Sequence, residues 1–155
     1  MEPRRVAAAC ATVRAFARGA GAARVAVLLD PANGGAPVLV ERLEDGGLEI
    51  TDGETTLPFV PDPGVAPLPL PPLRPVPASA ISADPDTGEL AAPLGGIQLL
   101  ADSVLALARA VGGRSVATAT FATADPSMPL TLAAREGEDV VLELGGRHFS
   151  LPMPS

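Results

Sequence analysis

The chain has one histidine, His148, and it stands two residues before Ser150 in Arg147-His148-Phe149-Ser150. Residues two apart share a face of an extended strand, so a base and a hydroxyl lie side by side. Adjacency along a strand is not triad geometry, and a histidine on a strand surface accounts for the same residues. One histidine also rules out a two-histidine metal site within one chain. Cys10 falls on the apolar face of an expected helix, where a buried structural thiol fits better than a nucleophile. Arg5 or Arg14 would lower its pKa if it were exposed. Asp84-Pro85-Asp86-Thr87-Gly88-Glu89 offers two of the alternating aspartates of a calcium loop, and Pro85 stiffens it. An aspartate-based phosphotransfer site would need a long buried strand before it, and Ser79–Ser82 is too short and polar. A hairpin turn explains the same residues, with Pro early and Gly late. Gly-Gly pairs at 34–35, 46–47, 95–96, 112–113 and 145–146 lack the spacing of a phosphate loop, and no lysine completes one. No catalytic, cofactor-binding or metal-binding residue is assigned, and the chain reads as non-enzymatic.

Residues suited to binding a partner are easier to find. Pro69-Leu70-Pro71-Pro72-Leu73-Arg74 fits the Pro-x-x-Pro-x-Arg pattern that aromatic grooves take in the polyproline conformation. A proline-rich connector with an incidental arginine is the simpler reading. Arg4, Arg14 and Arg18 gather on one side of the first helix, as a solvated face or as a contact for phosphate or an acidic partner. The second helix presents Leu99, Ser103 and Arg109 opposite its apolar stripe. That face is poor in charge, which predicts a cover from the connector or another subunit.

Composition narrows the class. Of the 155 residues, 47% are hydrophobic and 19% charged, the pattern of a globular chain. With four Phe and neither Trp nor Tyr, the core must be built from Val, Leu and Ala. All 11 basic residues are arginine, which together with abundant Ala, Gly and Pro matches the codon usage of a GC-rich genome. A net charge of −7 argues against general nucleic-acid binding and against anionic membrane. One cysteine excludes an internal disulfide. No apolar run reaches the ~18 residues of a spanning helix. Arg14 and Arg18 interrupt what would be the apolar part of a signal peptide, so a cytoplasmic protein is expected.

The elements that carry these residues follow from periodicity. A helix over 3–19 has Val6, Cys10, Val13, Phe16 and Ala17 on one face and ends at Gly19 and Gly21. Short aliphatic runs from Arg24 to Phe59, parted by turns at 31–35, 45–47 and 52–53, describe an antiparallel meander. Nine prolines between 58 and 77 make that stretch an extended connector. A hairpin around Asp84–Gly88 comes next, then a helix over about 94–111 with Ile97, Leu100, Val104, Leu107 and Val111 as its stripe. Strands follow at about 115–121, 129–134, 139–144 and 147–151. The order of a helix followed by strands thus occurs twice, over 2–60 and 94–152, and each copy closes on Leu-Pro (Leu57-Pro58, Leu151-Pro152). Two units that each leave an apolar face open can bury those faces on one another.

The closing run Glu138-Asp139-Val140-Val141-Leu142-Glu143-Leu144-Gly145-Gly146-Arg147-His148-Phe149-Ser150-Leu151-Pro152-Met153 resembles a hairpin of bacterial DNA sliding clamps. In that family a strand, a glycine turn and an aromatic-x-Leu-Pro run close a βαβββ unit, and each domain pairs two such units. The resemblance implies a duplicated αβ domain. It carries no functional residue across, since clamp helices are basic where the second helix here has only Arg109. The proline-rich connector also lies outside the family pattern.

The expectation is an α+β fold, with two helices packed on antiparallel sheet in an internally duplicated arrangement. Residues 1–60 form the first unit, 61–78 the connector, and 79–155 a hairpin plus the second unit, together one globular domain. The expected function is a non-catalytic protein-interaction or self-assembling module whose partner is another protein or a second copy. No cofactor and no membrane are implied. The alternatives are a clamp-like DNA-associated factor, and a small-molecule sensor or minor enzyme using His148.

Overall fold

The computed structural model describes residues 3–29, 37–60, 64–73, 82–83, 90–91, 94–112, 115–123, 129–135, 137–144 and 147–151. Helix α1 (Pro3–Ala20) leads into β1 (Arg24–Leu29), β2 (Val38–Arg42), β3 (Leu48–Asp52) and β4 (Thr55–Phe59). Two short strands, β5 (Ser82–Ala83) and β6 (Leu90–Ala91), pair as the expected hairpin, whose turn lies outside the described residues. Helix α2 (Leu94–Val111) then precedes β7 (Val116–Phe121), β8 (Leu130–Arg135), β9 (Val140–Leu144) and β10 (Arg147–Leu151). The fold is α+β, as the periodicity predicts. The turn expected at 31–35 also lies outside the described residues.

Eight strands form one antiparallel sheet in the order β10-β9-β8-β7-β1-β2-β3-β4. Each helix starts a meander, and the first strands of the two meanders meet at the centre. There Val25 pairs with Ala119 and Val27 with Ala117. The order therefore reads the same outward from the β1–β7 seam in both directions.

Strand composition dictates which face is covered. Along β1, Val25, Val27 and Leu29 are buried while Arg24 and Leu28 are exposed; along β8, Leu130, Leu132 and Ala134 are buried between half-buried Thr131, Ala133 and Arg135. This period of two places one aliphatic face against the helices and leaves the other outward. Helix α1 lies over β1 and β2, and α2 over β7 and β8. The whole expected stripe of α1 is buried: Val6, Cys10, Val13, Phe16 and Ala17. On α2 Leu100, Val104, Leu107 and Val111 are buried as expected, while the Ile97 side chain lies outside the described residues. Ala101, Leu105 and Ala108 are buried too, so the covered arc is wider than the stripe.

Both helices stop where glycine allows it. Gly21 has φ 72, and the Ala22 N–H donates to the Ala17 carbonyl at 3.1 Å, the six-to-one bond of a Schellman cap. Gly112 has φ 81 and donates to the Ala108 carbonyl at 3.0 Å. After the first cap, Arg42 ties β2 to the helix-to-strand loop by donating to the Ala23 carbonyl at 3.0 Å. Pro58 lies inside β4, within the expected first unit and at the start of the proline-rich stretch. A strand tolerates it because β4 is a sheet edge.

Phe16 is the largest fully buried side chain of α1. Phe16→Ala should lower unfolding free energy by about 3–5 kcal/mol, read as a shift of the urea midpoint at constant slope.

Candidate interaction surfaces

Cross-strand register aligns the outward side chains of the sheet in rows. One row runs Arg135, Val116, Leu28, Leu39, Thr51, Thr56 from β8 to β4. Its middle is aliphatic, and Leu28 is 37% exposed. The next row runs Val141, Ala133, Thr118, Ala26, Glu41, Glu49, with Val141 at 39%. A third holds His148, Glu143, Thr131, Thr120 and Arg24. Short side chains at Ala26, Thr118 and Ala133 keep the centre of this face low. Arg24 donates to the Glu41 carboxylate at 2.7 Å across the seam side of β2. Thr120 with Thr131 (3.3 Å) and Thr51 with Thr56 (2.9 Å) join neighbouring strands by hydroxyl bonds. Among the described residues no helix lies over this face. It is a surface with an apolar middle and Glu49 and Glu143 towards its two sides.

A second surface is made by the connector. Val65, Leu68, Leu70 and Leu73 are half-buried, and the three leucines pack against the core; Pro67, Pro69, Pro71 and Pro72 are exposed. Two contacts tie it to α1. The Leu68 N–H donates to the Thr12 hydroxyl oxygen at 2.8 Å, and that hydroxyl donates to the Ala8 carbonyl at 2.6 Å. Thr12 is fully buried, so one hydroxyl satisfies a helix carbonyl and a connector amide where water does not reach. Five residues on from Leu68, Leu73 closes over Gly19: a Cβ built there would lie 2.9 Å from Leu73 Cδ1 and 3.1 Å from its Cβ. Glycine in the last turn of α1 is the seat for that leucine.

The residues singled out from sequence are dispersed. Arg14 and Arg18 are exposed on α1; the Arg4 side chain lies outside the described residues. On α2, Arg109 is exposed and Leu99 half-buried, but Ser103 is 5% exposed and donates to the Leu99 carbonyl at 2.8 Å. Ser103 is therefore turned into the structure, its hydroxyl used by its own helix. The described part of the connector packs on α1. Pro69 and Pro72 are exposed, and Arg74 lies outside the described residues.

His148 and Ser150 share the outer face of β10, with Glu143 directly across from His148 on β9. The described residues show no hydrogen bond among the three, and the face is open to water, so nothing there holds a base against a hydroxyl. Cys10 is fully buried, and loss of hydration raises its thiol from 9.0 to about 11. Among the described residues no group of three or more acidic, His or Cys side chains could hold a metal ion, and no helix is long and apolar enough to cross a membrane. Comparisons with protein families, with characterised proteins and with solved structures give no match.

Two outcomes follow from Thr12 and Cys10. Thr12→Val keeps the shape but strands the Leu68 amide; hydrogen exchange at Leu68 should accelerate, with a loss of about 1 kcal/mol in stability. For Cys10, the unfolded thiol ionises near 9 and the folded one only near 11. Its contribution is thus fully present below pH 9 and lost as pH rises towards 11. Cys10→Ala should flatten that alkaline fall, measured by urea titrations between pH 8 and 11.

Proposed function

We propose that this chain is a non-catalytic protein-interaction or self-assembling module that works through the open face of its sheet. The observation that carries the reading is the outward row Val116, Leu28, Leu39 at the middle of an eight-stranded sheet, where Leu28 is exposed, its two neighbours are half-buried and no described helix lies over them. Aliphatic side chains set side by side on one surface gain from exclusion of water when a second surface covers them. Nothing in the fold is lost by the covering, because the helices hold the opposite face. The reading also takes the two helix-plus-strands sets as copies of one unit, which their equal order about the seam supports. The setting proposed is cytoplasmic.

Exposed Arg14 and Arg18, one helical turn apart on α1, favour one further reading, a clamp-like factor that meets phosphate. The net charge of −7 opposes it.

Native mass by light scattering after size exclusion, at low and moderate salt, is the first test. A defined oligomer that Leu28→Glu with Val116→Glu returns to single chains, with an unchanged melting curve, is the expected result. A single-chain mass at all concentrations would sink self-assembly and leave a different protein as the partner. For the phosphate reading, DNA retention that falls with salt and disappears in Arg14→Ala with Arg18→Ala is required.

A further inference from the structure

We propose that residues 68–72 form a second, separate docking site: a polyproline ridge held outward by α1 for a partner with an aromatic-lined groove. The conformation follows from covalent constraints. Proline fixes its own φ near −65° and pushes the residue before it into the extended region. Pro67, Pro69, Pro71 and Pro72 leave no residue from 66 to 72 free of one or the other constraint. The segment is accordingly neither helix nor strand.

A polyproline helix has three residues per turn, so it is a three-sided rod. Pro69 and Pro72 share one edge, Leu70 and Leu73 a second, and Leu68 and Pro71 the third. Burial separates the first two edges, and the third is divided between half-buried Leu68 and exposed Pro71. The Leu70/Leu73 edge packs against the core, and Leu73 sits on Gly19. Pro69, Pro71 and Pro72 are exposed, and half-buried Leu68 is held by Thr12. A groove that takes Pro-x-x-Pro ligands docks the prolines against its aromatic side chains. Here the side chains that anchor the rod are Leu68, Leu70 and Leu73, while Pro69, Pro71 and Pro72 stay exposed. Attachment and recognition therefore use different side chains of the same segment.

Anchoring also changes the thermodynamics. A free proline-rich peptide loses freedom when it binds, whereas a docked rod has already lost it, which favours tighter binding. The partner is defined by chemistry: parallel aromatic rings spaced for two prolines. Arg74, next in the sequence, is the position at which such ligands offer a cation to an acidic groove wall.

The test is a titration of the whole chain into a purified SH3 domain selective for Pro-x-x-Pro-x-Arg, following the tryptophan of the groove. The chain has no Trp or Tyr, so the signal comes from the domain alone. A synthetic peptide of residues 66–75 serves as the undocked reference. The expected result is saturable binding, tighter for the chain than for the peptide, that weakens about tenfold or more in Pro69→Ala with Pro72→Ala. Both prolines are exposed, and an unchanged melting curve confirms that this variant folds. Gly19→Ala, whose Cβ would meet Leu73, should bring the affinity of the chain down to that of the peptide. The proposal is overturned if the peptide binds and the chain does not, if neither binds, or if the double alanine variant binds as the chain does. None of these outcomes touches the sheet-face reading, which involves different residues.

Discussion

The antiparallel pairing of β1 with β7 is the contact on which the rest of the molecule depends. Without it the chain is two four-stranded meanders, each with one helix and one unpaired inner strand. Pairing satisfies the backbone groups of both strands at once and brings the helices together over one core. The residue sizes at the seam allow this. Val25 and Val27 face Ala119 and Ala117, so a large side chain meets a small one and neither helix is held off the sheet. The loop before β1 is tied to the same place, by the Ala23 N–H donating to the Thr120 carbonyl at 2.8 Å.

Joining the halves also fixes what is left outside. Each helix occupies the inner face of its own meander, and the outer face is common to both. The core needs few large side chains for this. One fully buried phenylalanine, Phe16, and one nearly buried, Phe121, serve the two halves, and Val, Leu and Ala supply the rest. The connector, which has to cross from one half to the other, follows α1 and adds three leucines to the periphery of the same core.

Much of this was legible in the residues. Pro3, Gly21 and Gly112 punctuate the helices closely enough that the expected ranges of 3–19 and 94–111 meet the observed Pro3–Ala20 and Leu94–Val111. The alternation in Leu130-Thr131-Leu132-Ala133-Ala134-Arg135 marks a strand with one dry face, and it is one. What local pattern does not encode is contact between distant segments. Nothing near Thr12 points to Leu68, 56 residues away, and a threonine four residues before Phe16 reads as an interruption of the apolar face. Ser103 stands opposite the apolar stripe of α2, and its burial is compatible with that place because a helix absorbs a serine hydroxyl on its own carbonyl. The outer rows of the sheet stayed hidden for a related reason. Leu28, Leu39 and Val116 become neighbours only through register between strands that are far apart in the chain.

The two ends of the sheet differ in one respect that bears on how copies of the chain could add to one another. On β4 the pyrrolidine of Pro58 removes a backbone donor from the edge, while Arg147–Leu151 at the other end contains no proline. A ribbon that lengthens indefinitely needs a receptive edge at both ends of every subunit. The missing donor makes pairing through the β4 edge less favourable than pairing through an edge with all its donors. Edge-to-edge growth of this fold is thereby biased to closed, countable assemblies and away from fibres.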